Sequence, residues 1–254
     1  MSEAVEPPGP RLDRAKGLIA GSRALIFDVD GTLAETEEVH RQAFNAAFAD
    51  ANLDWRWGRD VYKDLLRVAG GKERIRAFDR SRGMASVISD AEIAELHRRK
   101  TTIYADLIAS GGCPLRPGIK ALLTAALQRG QRLAIATTTS RGNIDALLLA
   151  ALGRDWESLF AAVVAGDEVS QKKPAPDVYL DVLSRLNLPA SECLAIEDSG
   201  IGLVAASRAG IPVLILRSAY FRDDDFSAAV LAVDELTEVT AIDHVDERVR
   251  RAPV

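Results

Sequence analysis

The stretch Arg23-Ala24-Leu25-Ile26-Phe27-Asp28-Val29-Asp30-Gly31-Thr32 decides how the rest of the chain is read. Its short, unbroken apolar run lacks polar alternation, as a strand buried on both faces of a parallel sheet requires. Two carboxylates, two residues apart, leave the end of that strand together. In an open α/β sheet, ligands sit outside the carboxyl ends of the strands. Asp and Gly are also ordinary turn formers, so the pair alone leaves a plain turn open. Two close anions in such a place repel each other and need a proton or a cation between them. A hard divalent ion taking oxygen ligands, such as Mg²⁺, is the economical answer.

Further apolar runs of the same type follow at 133–136, 162–165, 193–196 and 213–216, with helical patterns between them at 118–129, 143–152, 177–186 and 200–209. Such alternation with short loops predicts an α/β fold, a doubly wound, mostly parallel Rossmann-like sheet. Gly130, Gly153 and Gly210 follow three of the helices, where a residue of positive φ is common. From 37 to 112 the pattern changes. Val39, Phe44 and Phe48, then Leu65 and Leu66, then Ile93 and Leu96 recur at helical spacing, and no buried-strand run appears. A small all-helical domain inserted after the first strand is therefore expected.

The predicted division is a loose N-terminal tail at 1–22, a discontinuous core at 23–36 and 113–240, the helical insert at 37–112, and a C-terminal end at 241–254. Pro7, Pro8 and Pro10 motivate the tail, because proline joins neither a helix interior nor a sheet ladder. Trp55 and Trp57 are expected to pack inside the insert, and Asp223-Asp224-Asp225 to lie in a solvated loop.

Composition narrows the function. Hydrophobic residues make up 48% and charged residues 27% of the 254, a globular balance. The formal net charge of -5 argues against tracking nucleic-acid phosphates. Cys113 and Cys193 are too few for a disulfide framework, and no apolar run is long enough for a membrane helix. A cytoplasmic enzyme with a small-molecule substrate is expected, without nucleic acid, membrane or obligate protein partner.

Asp-x-Asp-Gly-Thr after a hydrophobic strand resembles the first motif of the haloacid dehalogenase superfamily. The other motifs follow in order: Thr137 closing Leu133-Ala134-Ile135-Ala136-Thr137, Lys173 before Pro174, and the acidic pair Glu197-Asp198 after Leu194-Ala195-Ile196. The likeness covers about 24–225. It implies that Asp28 attacks phosphorus as the nucleophile, splitting one hard step into two. Asp30 would serve as acid and then base. Thr137 and Lys173 would stabilise the transferring oxygens. Mg²⁺ would be held by Asp28, Asp198 and the backbone carbonyl of Asp30, with Glu197 orienting a metal-bound water.

In the insert, Gly70-Gly71-Lys72-Glu73-Arg74 offers flexible backbone and two cations, a candidate clamp for a second phosphate built on Gly70, Gly71, Lys72 and Arg74. Glu35 and His40 are candidates for bonding sugar hydroxyls. Thr137-Thr138-Thr139-Ser140-Arg141-Gly142-Asn143 is dense in donors and enters a helix, so Thr138, Thr139, Ser140, Arg141 and Asn143 are candidate substrate ligands.

These loops, together with Ala165-Gly166-Asp167-Glu168-Val169 and Lys172-Lys173-Pro174-Ala175-Pro176-Asp177-Val178-Tyr179, are similar to the CbbY-type subgroup. That likeness implies a phosphatase acting on xylulose 1,5-bisphosphate, a misfire product that inhibits Rubisco, and returning xylulose 5-phosphate to the Calvin cycle. A phosphosugar mutase of the β-phosphoglucomutase type would use the same aspartates. A nucleotide-binding module is a third reading, since Gly200-Ile201-Gly202 opens a helix after a strand. Against it, Glu197 and Asp198 would repel a pyrophosphate, and the glycines are expected to let the helix approach the sheet.

Overall fold

The four residues of strand β1 (Ala24–Phe27) are wholly buried, and their alternation sets the layers. Leu25 and Phe27 face one apolar cluster while Ala24 and Ile26 face another, as the two-residue period of a strand dictates. The computed structural model describes residues 8–83 and 88–237. Its sheet contains β1, β2 (Arg132–Ala136), β3 (Ala162–Val164), β4 (Cys193–Glu197), β5 (Val213–Leu216) and β6 (Leu231–Val233). The order is β3-β2-β1-β4-β5-β6, and every pairing is parallel. The order reverses beside β1, which makes the carboxyl ends of β1, β2 and β4 the place for a ligand. Strand β6 has three residues and lies within the apolar run 228–233, which the sequence reading passed over.

On one face, Leu25, Phe27, Leu133 and Ile135 pack with Ile119 and Leu122 of α6 (Ile119–Gln128) and with Ile144 and Leu147 of α7 (Arg141–Leu152). On the other, the strands present small residues, Ala24, Ala134, Ala136 and Ala195. These meet Val178, Tyr179 and Val182 of α8 (Asp177–Leu186) and Leu203 and Ala206 of α9 (Gly200–Arg208). The expected glycines Gly130, Gly153 and Gly210 all take positive φ.

From residue 8 onward the expected loose tail is corrected by helix α1 (Pro8–Gly21), while its part at 1–7 lies outside the described residues. Proline is tolerated in the first turn, where backbone N–H groups have no intrahelical partner, so the proline cluster marks a helix start. Ala15 and Ile19 are buried in the same cluster as Leu25 and Phe27. Gln131 Nε2 donates to Ile19 O (2.7 Å) and to Ser22 O (2.6 Å), tying the helix end to the sheet. The expected C-terminal end at 241–254 lies outside the described residues.

The insert consists of α2 (Glu37–Asp50), α3 (Arg59–Leu65), α4 (Gly71–Ser81) and α5 (Asp90–Ala109). Its interior is aromatic: Phe44, Phe48, Trp55, Trp57 and Tyr62 are buried together, so both tryptophans are packing residues as expected. Tyr220 and Phe221, from the loop after β5, join that cluster. The Tyr220 ring lies edge-on to Tyr62 at 5.8 Å, and its hydroxyl donates to Glu38 Oε2 (2.9 Å). The aspartates after it are engaged too: Asp223 pairs with Lys63 (3.0 Å), and Asp224 accepts from Gly200 N at the start of α9 (2.8 Å). Among the described residues, no helix is long and apolar enough to cross a membrane.

Because Ile19 is buried against the sheet, Ile19→Ala is expected to destabilise the protein by about 2–4 kcal/mol in urea unfolding. A loss below about 0.5 kcal/mol would show that α1 is not part of the core.

Candidate active site

Phe27, the last residue of β1, is in register with Ile135 of β2 and Ile196 of β4. The residues that follow those three positions therefore converge. Asp28 is 7% exposed, Thr137, Glu197 and Asp198 about 1%, and Lys173 4%. Lys173 Nζ donates to Asp28 Oδ1 (2.6 Å), to Glu197 Oε1 (2.6 Å) and to Ala136 O (2.9 Å). Burial works against the Lys173 charge, but Asp28 and Glu197 hold its pKa above the ordinary lysine value. Burial pushes Asp28 up to about 7 against the pull of Lys173, with Glu197 adding to the rise. Burial also lifts Asp198 well above the carboxylate range, reinforced by Asp28 and Glu197.

Glu197 has neighbours that the sequence reading did not foresee. Its Oε1 accepts from Lys173 and from the Tyr179 hydroxyl (2.6 Å), and its Oε2 from Asp198 N (3.2 Å) and Ser199 Oγ (3.4 Å). Glu197 therefore braces Lys173 as well as standing among the carboxylates at the strand ends. A Cβ at Gly202 would stand 2.1 Å from the Glu197 carboxyl carbon, so the glycine is needed for α9 to approach that close. The same contact accounts for the glycines that formally matched a dinucleotide fingerprint.

Asp28, Glu197 and Asp198 each offer a carboxylate oxygen, all within 4.8 Å of one another. Asp198 Oδ2 is buried with no hydrogen-bond partner. A Cβ at Gly31, whose φ is +81°, would lie 1.9 Å from that oxygen, so only glycine leaves the cradle open. Hard oxygen donors, a surplus of buried negative charge and an orphaned carboxylate oxygen fit a hard divalent cation.

Asp30 is held by a second network. Its Oδ1 accepts from Thr36 Oγ1 (2.6 Å) and from His40 Nε2 (2.9 Å), while Lys100 Nζ donates to His40 Nδ1 (2.7 Å). Burial opposes the charge on Asp30, but His40, Thr36 and the charge of Lys100 keep it below the usual carboxylate range. Burial, with Lys100 alongside, keeps the His40 pKa below its ordinary value, and a ring that accepts from Lys100 at Nδ1 presents Nε2–H to Asp30.

The expected hydroxyl ligand His40 does line the cavity, but both its ring nitrogens are occupied, so it is corrected to a residue that positions Asp30. Glu35 is corrected as well. Its carboxylate accepts from Ala219 N (3.2 Å) and lies 3.8 Å from Arg116, away from the cavity. Arg141 also turns aside, pairing with Asp145 (2.9 Å) and Glu157 (2.8 Å) over the Trp156 ring.

The other candidates come together. Asp30, Gly70, Gly71, Lys72, Arg74, Thr138, Thr139, Ser140 and Asn143 line one cavity of about 670 Å³ between the strand ends and the insert. Ser140 Oγ and Asn143 Oδ1 are buried there without partners, available to a ligand. Thr137 is buried behind them, its Oγ1 accepting from Thr139 N (3.3 Å). Arg74 Nε donates to Val68 O (2.9 Å), which fixes the side chain along the cavity wall.

The sequence reading missed Lys100, His97 and Lys172, which line the same cavity, and Tyr179. For Lys100 a signal existed: it interrupts the buried stripe Ile93, Leu96, Tyr104, Ile108 of α5, where a lysine needs a partner. His97, one turn earlier, carried no such mark.

A hydrolase built on a doubly wound parallel sheet with a helical insert is the class that this fold and this carboxylate cluster fit. Residues 22–210 match the family model for haloacid dehalogenase-like hydrolases, and the chain belongs to that family. Protein CbbY of Rhodobacter capsulatus is 53% identical over 215 residues, covering 85% of this chain and 94% of that protein. CbbY from Rhodobacter sphaeroides, solved in complex with phosphate, superposes with a TM-score of 0.82 at 44% identity, covering 86% of this chain and 96% of that one. A mutant of the same protein, in complex with xylulose-(1,5)bisphosphate, gives 0.82 at 43% identity, over 85% and 96% of the two chains.

Burial, with Arg74 nearby, brings Lys100 from its ordinary 10.5 down to about 7. Between those values the unfolded chain holds a proton that the folded one lacks, so this group makes stability rise with pH. Lys100→Met is expected to remove that component, a few kcal/mol in total across the window. Urea unfolding of both proteins from about pH 7 to pH 10 reads it; parallel pH profiles would show that Lys100 does not titrate there.

Proposed function

We propose that the chain is a Mg²⁺-dependent sugar-bisphosphate phosphatase that converts xylulose 1,5-bisphosphate to xylulose 5-phosphate. The observation that carries the reading is one cavity lined on one side by Asp30, two residues beyond Asp28, and by the loop after β2, and on the other by the cationic start of α4. A sugar with a phosphate at each end needs two anchors of that kind. The CbbY relative bound to xylulose-(1,5)bisphosphate supports the choice of sugar.

In this reading a carboxylate oxygen of Asp28 attacks phosphorus while the bond to the sugar oxygen breaks, leaving an aspartyl-phosphate. Asp30 gives the departing oxygen its proton, then takes one from the water that attacks the acyl phosphate. Its low pKa in the resting protein makes it a ready base. A phosphate dianion arriving beside it raises its proton affinity, because like charge disfavours ionisation. Thr36, His40 and Lys100 fix where that proton is held. Thr137 and Lys173 stabilise the equatorial oxygens of the transferring group. Mg²⁺ would be held by Asp28, Asp198 and the Asp30 backbone carbonyl, supplying charge neutralisation between nucleophile and phosphate. Lys72 and Arg74 anchor the second phosphate, with Thr138, Thr139, Ser140 and Asn143 lining the path between.

Asp28→Asn is expected to fold normally, judged by circular dichroism and Tm, and to lose at least about a thousandfold in phosphate release. Appreciable turnover in that variant would remove the nucleophile assignment.

Substrate choice is read by phosphate release with Mg²⁺ from xylulose 1,5-bisphosphate, ribulose 1,5-bisphosphate, fructose 1,6-bisphosphate and β-glucose 1-phosphate. Preference for the first is expected, and Lys72→Ala should raise KM for it by about tenfold or more with little change for a monophosphate. Conversion of β-glucose 1-phosphate without free phosphate would identify a mutase instead.

A further inference from the structure

We infer that Glu73 is a built-in counter-anion of the cavity: it holds Lys172 until the second phosphate of a substrate displaces it. The inference rests on the bisphosphate reading above and names the residue that sets the contest at the distal anchor.

Glu73 Oε1 lies 2.7 Å from Lys172 Nζ. The pair joins α4 of the insert to the loop that precedes α8, and both residues line the cavity. It sits directly over Gly70. A Cβ there would be 2.2 Å from Glu73 Oε2 and 2.5 Å from Lys172 Nζ, so any other residue at 70 would push the two side-chain ends aside. Lys72 lies beside it on the same turn of α4 and makes no ion pair among the described residues. Across from it, the His97 ring packs against Gly71, whose Cβ would come within 2.5 Å of Nε2. Burial and the charges of Lys100, Lys72 and Lys172 keep that imidazole neutral, at about 3. The result is a cluster of cations around a neutral ring, with one carboxylate among them.

The pair is partly exposed, 24% for Lys172 and 45% for Glu73, and such ion pairs are weak. A phosphate dianion brings twice the charge and three acceptor oxygens, enough to take Lys172 from a single carboxylate. A monophosphate held only at the strand ends leaves the pair in place. Lys172 also precedes Lys173, whose Nζ binds Asp28, so the exchange takes place one residue from the group that braces the nucleophile. Glu73 thereby keeps the distal cations from holding inorganic phosphate or a phosphorylated product tightly.

The rival reading is a permanent latch, in which Glu73 and Lys172 stay paired throughout turnover and hold the insert to the core. The two readings differ in sign. If the pair is a latch, Glu73→Gln and Lys172→Met loosen the same contact and shift KM in the same direction. If Glu73 competes with the substrate, Glu73→Gln frees Lys172 and lowers KM for xylulose 1,5-bisphosphate by about two- to fivefold. Lys172→Met then raises it by about tenfold.

Calorimetric titration with inorganic phosphate reads the same contest without any turnover. Tighter binding in Glu73→Gln together with weaker binding in Lys172→Met is the expected result. It stands even if bisphosphates prove not to be hydrolysed, an outcome that would defeat the proposed substrate and leave the counter-anion in place. Shifts of the same sign in both variants, or no shift in Glu73→Gln, would overturn the inference.

Discussion

One buried lysine organises the site. Lys173 Nζ joins the end of β1, through Asp28, to the end of β4, through Glu197, and to the carbonyl that closes β2. Buried charges are tolerable only when their partners are complete, and removing one partner leaves the others uncompensated. The surrounding sequence follows from that constraint. Tyr179 must bring its hydroxyl to Glu197, so α8 begins just after the lysine loop. Gly202 must lack a side chain, because the Glu197 carboxylate fills the space that a Cβ would take. Even with Lys173 in place, three carboxylates face one ammonium, and the remaining negative charge defines where a cation belongs.

The second carboxylate lives in the opposite regime. Asp28 and Asp30 are two residues apart, yet burial drives the first towards neutrality while hydrogen bonds and Lys100 keep the second ionised. Environments that push two like groups apart are how one chemical type performs two tasks. The insert makes the difference. His40 and Lys100 belong to α2 and α5, so the charge state of a core residue is set by helices packed over it.

Much of this was legible in the chain. Parallel strands buried on both faces write themselves as unbroken apolar runs, and five of the six strands were placed within a residue or two. Asp28 and Asp30 were legible because chemistry ties residue type to position at a strand end, whereas Lys173 and Asp198 were found through the order of the family motifs. What misled was a residue type with two uses. Prolines read as a loose tail begin a helix, since the first turn has no hydrogen bond for them to break. Arg141, at the start of α7, and Glu35, in a loop, both lie near the cavity, yet each found a closer opposite charge or backbone donor. His40 was noticed for the wrong partner. Side-chain direction within a loop depends on neighbours far away in sequence, and composition does not carry it.

Tyr220 and Phe221 bear on how such a protein could change over time. Helical inserts look like exchangeable modules, joined to the sheet at two points. Here the core contributes two aromatic side chains to the interior of the insert, against Tyr62 and Glu38. A different set of helices grafted between residues 36 and 113 would inherit two rings without a socket. Inserts of this type are therefore expected to diversify by local substitution along the cavity wall, with the aromatic joint carried along, more readily than by wholesale recombination between relatives.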